Sequence, residues 1–311
     1  LNLQGNLITS VPVAIGSLSS LTLLSLDTEN IVSPPKEIVA AGTTVMVDFL
    51  RRLSESQITG ILDLSNLSLW SFPEEAAELK NLVEMSIADN QIVHLPASIG
   101  NLFSLSSMYA DHNQLAALPP TIGELNSLQL LALDYNQLST LPNQFGDMTS
   151  LHTVTLSNNL LKVLPSSIGN LQNMRMLDLT HNELRSLPQT LGFLNLLAEL
   201  KVDRNLLSTL PTTVGDCTSL QNLSISENAL AVLPVEIGRL TRLKHLDLHA
   251  NRLATLPASV GTLTLLQELN LAKNPLTGLP TELGNIQKLK SLIVDASAVA
   301  AVPGRAPEDD E

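Results

Sequence analysis

The segment KHLDLH (244–249) contains residue types that could bind a metal ion. His245, Asp247 and His249 alternate along the chain, so a β-strand would direct all three side chains to one face. Two strand residues at this spacing can share a metal ion. However, no second group of ligands completes a coordination shell, and LDL is also an ordinary strand segment of this sequence. The sequence therefore predicts neither a metal site nor a cofactor.

Residues for nucleophilic catalysis or phosphate binding are equally sparse. The single cysteine, Cys217, lies in GDCTSL at a small apolar position, and it is interpreted as a buried residue. The sequence has neither the GxSxG motif of hydrolases nor the GxxxxGK[ST] loop that binds nucleotide phosphates. We therefore expect that the protein is not an enzyme.

The charge balance restricts the class of partner. The chain has 17 lysines and arginines against 30 aspartates and glutamates, and its formal net charge is −13. Such a surface does not suit nucleic acid or an anionic membrane, and no run of about 18 apolar residues could span a bilayer. One cysteine cannot form a disulfide within the chain, whereas secreted repeat proteins usually have ends that are capped by disulfides. These features predict a protein partner and a cytoplasmic location, with a cytoskeletal or ciliary one as an alternative.

A repeat of 23 residues occupies most of the chain. Residues 128–150 read LQLLALDYNQLSTLPNQFGDMTS, and the common pattern is LxxLxLxxNxLxxLPxxIGxLxx. The LxL alternation predicts a short strand with one buried face, and successive strands would stack into a parallel sheet on the inside of a curve. Eleven repeats follow without a change of spacing; they begin at Thr59, Leu82, Leu105, Leu128, Leu151, Met174, Leu197, Leu220, Leu243, Leu266 and Leu289.

An asparagine occupies the ninth position of nine consecutive repeats. A buried amide must be hydrogen-bonded, so these side chains are predicted to form a ladder that bonds to neighbouring backbone. A proline closes the LP step of every repeat, where it ends strand pairing. These residues are predicted to be architectural: Asn90, Asn113, Asn136, Asn159, Asn182, Asn205, Asn228, Asn251 and Asn274.

The repeat is interrupted at residues 33–53, SPPKEIVAAGTTVMVDFLRRL. Within it, Met46, Phe49, Leu50 and Leu53 are spaced at i, i+3, i+4 and i+7, which predicts an amphipathic helix with Thr43 or Thr44 as its N-cap. Such a helix would lay its apolar face over the exposed end of a leucine core, because terminal repeats need covering.

The repeated pattern resembles the leucine-rich repeat, and the resemblance covers nearly the whole chain. The segment PPKEIVAAGTTVMVDFLRR is similar to the closing segment of Ras-group leucine-rich-repeat proteins, which include the Shoc-type scaffold and the plant intracellular Ras-group proteins. Roco kinases and Erbin- or Scribble-like proteins use similar repeats. The resemblance implies an α/β solenoid with a curved parallel sheet on the concave face, short 3-10 or turn segments on the convex face, and an internal capping helix.

The position of the capping segment departs from that family pattern, because a second array follows it. We therefore interpret residues 1–58 as the last repeats and helical cap of a first array, and residues 59–303 as a second array of eleven repeats. Residues 304–311 are predicted to be an acidic disordered tail. The alternative is one continuous solenoid with a helical side insertion. Because the chain begins inside a repeat, we also expect it to be part of something longer.

The predicted binding surface consists of variable positions that alternate with the buried leucines and face the concave side. Both tyrosines of the chain lie there in adjacent repeats, and tyrosine is a frequent interface anchor. Acidic residues surround the tyrosines, and basic residues follow further along. The predicted partner-binding residues are Asp89, Tyr109, Asp111, His112, Asp134, Tyr135, Asn158, Asp178, His181, Lys201 and Arg204.

The function predicted from these features is a non-enzymatic scaffold that binds a partner protein through the concave face. The family resemblance implies intracellular signalling, with a small GTPase or a phosphatase subunit as partner. One alternative is a structural subunit of a large assembly, such as a ciliary axoneme, where the partner would be a neighbouring subunit. Another is the repeat arm of a larger Roco-like enzyme.

Overall fold

The computed structural model describes residues 1–18 and 20–295. The chain divides into two compact units, Leu1–Leu160 and Leu161–Glu311, called here the first and second unit. The end of the predicted second array (296–303) and the predicted acidic tail (304–311) lie outside the described residues.

The first unit contains three α-helices and five short strands. The helices are α1 (Lys36–Ala40), α2 (Thr43–Thr59) and α3 (Glu74–Ala77), and the strands are β1 (Ile61–Asp63), β2 (Glu84–Ser86), β3 (Ser107–Tyr109), β4 (Leu130–Ala132) and β5 (Thr153–Thr155). Its 3-10 helices span Val13–Ser17, Thr28–Asn30, Ala97–Asn101, Pro120–Glu124 and Asn143–Asp147.

Up to residue 295, the second unit alternates six 3-10 helices with six strands. The strands are β6 (Met176–Asp178), β7 (Glu199–Lys201), β8 (Asn222–Ser224), β9 (His245–Asp247), β10 (Glu268–Asn270) and β11 (Ser291–Ile293). The 3-10 helices span Ser166–Asn170, Gln189–Phe193, Thr212–Asp216, Val235–Arg239, Ala258–Thr262 and Thr281–Asn285.

Strand pairing follows the 23-residue period. Within the first unit β1 to β5 pair in sequence order, all parallel, and within the second unit β6 to β11 do the same. Leu62 is opposite Met85, for example, and Leu200 is opposite Leu223. The central residue of nearly every strand is buried, so the repeated leucines form the core. The predicted leucine-rich-repeat solenoid fold is confirmed.

The asparagine ladder is also confirmed. The Asn136 amide nitrogen donates to the carbonyl oxygens of Ala110, Leu133 and Asp134, at 2.9, 3.1 and 3.2 Å. Its amide oxygen accepts the backbone N–H of Leu115 at 2.9 Å. One buried side chain therefore satisfies backbone groups of two adjacent repeats, which is why asparagine recurs at this position.

The interruption of the repeat forms the predicted helix, α2. Met46, Phe49, Leu50 and Leu53 are all buried on its inner face. The predicted N-cap was wrong, because Gly42 occupies that position with a φ of 97° and no side chain caps the helix. Only glycine adopts this backbone conformation readily.

The α2 helix lies between the N-terminal repeats and β1. On one side the backbone at Leu50 packs closely against Gly16 in the first 3-10 helix. On the other side Arg52 Nη1 donates to the Asp63 carbonyl at 3.0 Å, and Thr59 Oγ1 donates to the Ile61 carbonyl at 3.3 Å. Because β1 is the edge strand of its sheet, its outward backbone groups have no neighbouring strand to pair with. The α2 helix supplies hydrogen-bond donors to two of its carbonyls.

Candidate functional site

The predicted binding residues occupy two kinds of position. Tyr109, Asp178 and Lys201 are the last residues of β3, β6 and β7. The other eight lie two or three residues beyond a strand, so the expectation that they alternate with the leucines within the strands was wrong. These eight are Asp89, Asp111, His112, Asp134, Tyr135, Asn158, His181 and Arg204. The reason is that each strand is only three residues long and the chain turns immediately afterwards.

The residue before each ladder asparagine has a left-handed backbone conformation. Its φ is 53° at His112, 52° at Tyr135 and 51° at Arg204. The turn allows the N–H of this residue to donate to the next repeat, as from His112 to the Asp134 carbonyl at 2.9 Å. Sequence analysis missed this feature, although asparagine, aspartate and histidine, which tolerate it, recur at the position.

An exposed aromatic pair marks the first unit. The rings of His112 and Tyr135 stack with centroids 4.3 Å apart and an interplanar angle of 12°. Tyr135 remains 51% exposed despite this stacking. Tyr109 is half-buried at the end of β3. His112 and Tyr135, the left-handed residues of two successive repeats, therefore present a flat, partly apolar surface to solvent.

Four acidic residues, Glu84, Asp89, Asp111 and Asp134, lie on this side of the first unit. Burial raises the pKa of the Asp111 carboxyl, and the neighbouring Asp89 and Asp134 charges act in the same direction, although its own backbone N–H and His112 oppose them. Asp134 Oδ1 accepts the backbone N–H of Ser157 at 2.6 Å. Within residues 1–18 and 20–295, none of the four acids forms an ion pair.

Several charged residues of the second unit form ion pairs with one another. Lys201 Nζ lies 2.8 Å from Glu199 Oε1 and 3.9 Å from Asp178 Oδ2. The hydrogen bond that Lys201 donates to Glu199 raises the pKa of Lys201 against the opposing effect of burial. Arg204 Nε lies 3.1 Å from Glu227 Oε1, and His181 is exposed. Lys201 and Arg204 thus already have ionic partners, whereas the four acids of the first unit form no ion pair in the described residues.

The positions considered for catalysis and metal binding have structural surroundings. Cys217 is fully buried, its thiol donates to the Leu191 carbonyl at 3.3 Å, and burial raises its pKa to about 12. This burial confirms the prediction that Cys217 is a core residue, and the raised pKa disfavours the reactive thiolate near neutral pH. His245 Nδ1 lies 3.0 Å from Glu268 Oε2. Among the described residues, no group of three or more potential ligands is arranged to hold a metal ion.

Comparison with known proteins agrees with this geometry. The leucine-rich repeat family model matches residues 149–207, 195–253 and 218–276. No curated protein matches the sequence, whereas 498 chains of solved structures match it. Leucine-rich repeats are thus found within residues 149–276, and the leucine-rich-repeat fold generally serves as a protein–protein interaction module.

Three solved structures illustrate the likeness. A leucine-rich-repeat protein of Leptospira interrogans has a TM-score of 0.62 and 28% identity, over 95% of this chain and 83% of that chain. The GASSHO1/SCHENGEN3 receptor kinase ectodomain of Arabidopsis thaliana, in complex with CASPARIAN STRIP INTEGRITY FACTOR 2, has a TM-score of 0.64 and 25% identity. The Arabidopsis receptor kinase HAESA, in complex with the peptide hormone IDA and the co-receptor SERK1, has a TM-score of 0.63 and 25% identity.

The two plant matches involve only part of the receptors. They cover 93% and 75% of this chain but 34% and 45% of the receptor chains. In the described part of the present chain, no helix combines the length and apolar character needed to cross a membrane.

Proposed function

We propose that this chain is a non-enzymatic scaffold that binds a partner protein through the strand ends of its repeats. The observation that carries the proposal is the stacked, exposed pair of His112 and Tyr135 beside carboxylates that form no ion pair within the described residues. This surface, with Asp89, Tyr109, Asp111, His112, Asp134, Tyr135 and Asn158, is called the first-unit face. Asp178, His181, Lys201 and Arg204 form the second-unit face.

The aromatic pair suits the role of an interface anchor. The Tyr135 side chain has two rotatable bonds, and its ring is already held by stacking on His112, so binding would cost the side chain little conformational entropy. The backbone beneath is fixed by hydrogen bonds between repeats, as from Tyr135 N–H to the Ser157 carbonyl at 2.9 Å. A partner would therefore meet a preformed surface.

The charge of the first-unit face favours a partner with lysine or arginine at its contact surface. Its carboxylates form no ion pair in the described residues, and a cationic partner would neutralise them while speeding encounter. The second-unit face already has its own ion pairs, for example between Lys201 and Glu199. We therefore propose that the second-unit face contributes specificity more than affinity.

The finer assignment is a cytoplasmic role in intracellular signalling. It is supported by the resemblance of the capping segment to Ras-group proteins, which favours a small GTPase or a phosphatase subunit as partner. The plant receptors whose structures resemble this chain were solved with peptide or protein ligands, which supports binding through this fold. A downstream GTPase or kinase sequence in a longer chain would instead favour the Roco-like alternative, and stable incorporation into an axoneme would favour the structural one.

The proposal is tested by recovering partners from the native source with wild-type protein and with a Tyr109→Ala, Tyr135→Ala double variant. We expect at least one partner to be lost from the variant, because the anchor rings are removed. A Phe103→Ala, Val93→Ala variant is the control, since both residues are exposed apolar side chains of the first unit outside the predicted site.

Retention of every partner by a folded double variant would overturn the first-unit face as the binding site. Arg204→Glu tests the second-unit face separately, because it removes the ion pair with Glu227 and reverses one charge. Circular dichroism of each variant checks that the fold is intact.

A further inference from the structure

The only tryptophan of the chain, Trp70, is 62% exposed. It follows β1, next to helix α1 in the capping segment, and its backbone N–H donates to Glu37 Oε1 at 2.7 Å. Leaving so large an apolar ring in water forfeits hydrophobic free energy that a buried position would provide. Neighbouring Val32 is also 75% exposed, so the ring belongs to an apolar patch.

Two open grooves meet at the Trp70 ring. One, of about 550 Å³, is lined by α1 residues and by Ser68 and Gln91. The other, of about 540 Å³, is lined by Val32, Pro35 and Phe72 together with charged residues. Both lie within the first unit, and none of the residues that line them belongs to the first-unit face.

The charge around the ring is predominantly negative. Glu37, Glu74 and Glu75 line the grooves, against the single cation Lys36. Each carboxylate is held in place: Glu37 by the Trp70 N–H, Glu74 by the hydroxyl of Ser98 at 2.8 Å, and Glu75 by the hydroxyl of Ser33. None of these charged groups takes part in an ion pair within the described ranges, so each carboxylate keeps acceptor capacity for an outside donor.

We propose that this Trp70 surface is a second docking site, whose occupant is a protein segment carrying lysine or arginine side chains. The charge complementarity selects the occupant. A cationic side chain placed over the indole face gains a cation–π interaction, and the adjacent carboxylates accept its hydrogen bonds. Its aliphatic stem would cover the exposed ring and Val32.

The sole tryptophan provides a direct probe. Intrinsic fluorescence is titrated with an acetylated octa-lysine amide at about physiological salt, and with octa-glutamate amide as the comparison peptide. We expect octa-lysine to change the Trp70 emission saturably and octa-glutamate to leave it unchanged. Saturable octa-lysine binding that calorimetry detects without any change in Trp70 emission would overturn the proposal, because the peptide would be bound elsewhere.

A protein with net charge −13 attracts octa-lysine everywhere, so a matched variant is essential. Glu37→Gln, Glu74→Gln, Glu75→Gln removes three charges at the grooves while keeping acceptor oxygens. Glu55→Gln, Glu124→Gln, Asp147→Asn removes three charges from exposed acids of the first unit that belong neither to the grooves nor to the first-unit face. We expect about a tenfold weaker affinity for the first variant and less than a twofold change for the second.

Equal weakening in the two variants would show that only the net charge matters, and the Trp70 docking site would be rejected. Trp70→Ala, measured by calorimetry, is expected to weaken octa-lysine binding about tenfold if the ring contributes. Thermal melts of all three variants confirm that any loss is not caused by unfolding. This test does not depend on the first-unit face binding a partner.

Discussion

At the scale of single residues, the left-handed position before each ladder asparagine has a consequence for stability. Ala250 occupies it with a φ of 52°. An alanine in this conformation costs about 1–2 kcal/mol more than glycine, whereas glycine loses about 0.5–1 kcal/mol more backbone entropy on folding. We therefore expect Ala250→Gly to raise the free energy of unfolding by about 0.5–1 kcal/mol, measured by denaturant titration.

The control for this prediction is Ala272→Gly. Ala272 lies one residue before the left-handed Lys273 of the next repeat and does not itself have a positive φ. Glycine there should lower stability by about 0.5–1 kcal/mol. If the free energy of unfolding changes in the same direction in both variants, the left-handed backbone conformation does not explain the effect.

The residue scale is also where sequence reasoning was least complete. The ladder asparagines were predictable because a polar residue repeated every 23 positions in a leucine-rich pattern must be buried and bonded. The stacking of His112 on Tyr135 and the exposure of Trp70 were not predictable, since both depend on side-chain directions that follow only from the turn geometry.

At the scale of elements, α2 interrupts the repeats and covers the β1 edge. The apolar spacing of Met46, Phe49, Leu50 and Leu53 was enough to predict the helix and its buried side. Its start was mispredicted because a glycine, rather than a threonine hydroxyl, precedes the first turn. The contact of α2 with the N-terminal repeats could not be predicted, because close packing of the Leu50 backbone on Gly16 leaves no pattern in the sequence.

Gly16→Ala tests whether α2 is clamped against the N-terminal repeats. An added Cβ would lie within hard contact of the Leu50 carbonyl group, so the helix or the repeat would have to move. We expect the free energy of unfolding to fall by about 1–3 kcal/mol. Thermal unfolding followed by circular dichroism measures this loss.

The matched control is Gly284→Ala, at the same position of a later repeat. Among the described residues, no atom lies within 4 Å of a Cβ added there, so the variant should be neutral or more stable by up to about 1 kcal/mol. A similar loss in both variants would mean that glycine is required by the repeat itself and not by α2.

At the scale of the whole molecule, the period of 23 was sufficient to predict every strand from β1 to β11. The reason is that a repeat protein applies one local rule many times, so consistent leucines and asparagines leave no ambiguity of register. The separation into arrays at residues 1–58 and 59–303 stays a prediction. It is supported by the coverage of the β1 edge by α2, and we propose it for that reason.

The acidic character of the molecule affects how the proposed partner is attracted to it. A net charge of −13 would attract any cationic protein, whereas the first-unit face would attract one to a particular surface. If the face is responsible, the association rate of the recovered partner should fall about tenfold between about 0.05 and 0.5 M salt, measured by surface plasmon resonance.

Two variants with the same net charge separate these causes. Asp89→Asn, Asp111→Asn, Asp134→Asn neutralises the first-unit face, while Glu78→Gln, Glu124→Gln, Asp147→Asn neutralises exposed acids of the first unit near its helices. We expect the salt dependence to weaken markedly in the first variant and to persist in the second. Charge acts most strongly where it is close to the contact and poorly screened, and scattered charges act only through the net field. Equal salt dependence in the two variants would therefore assign the attraction to net charge and remove the electrostatic argument for the first-unit face.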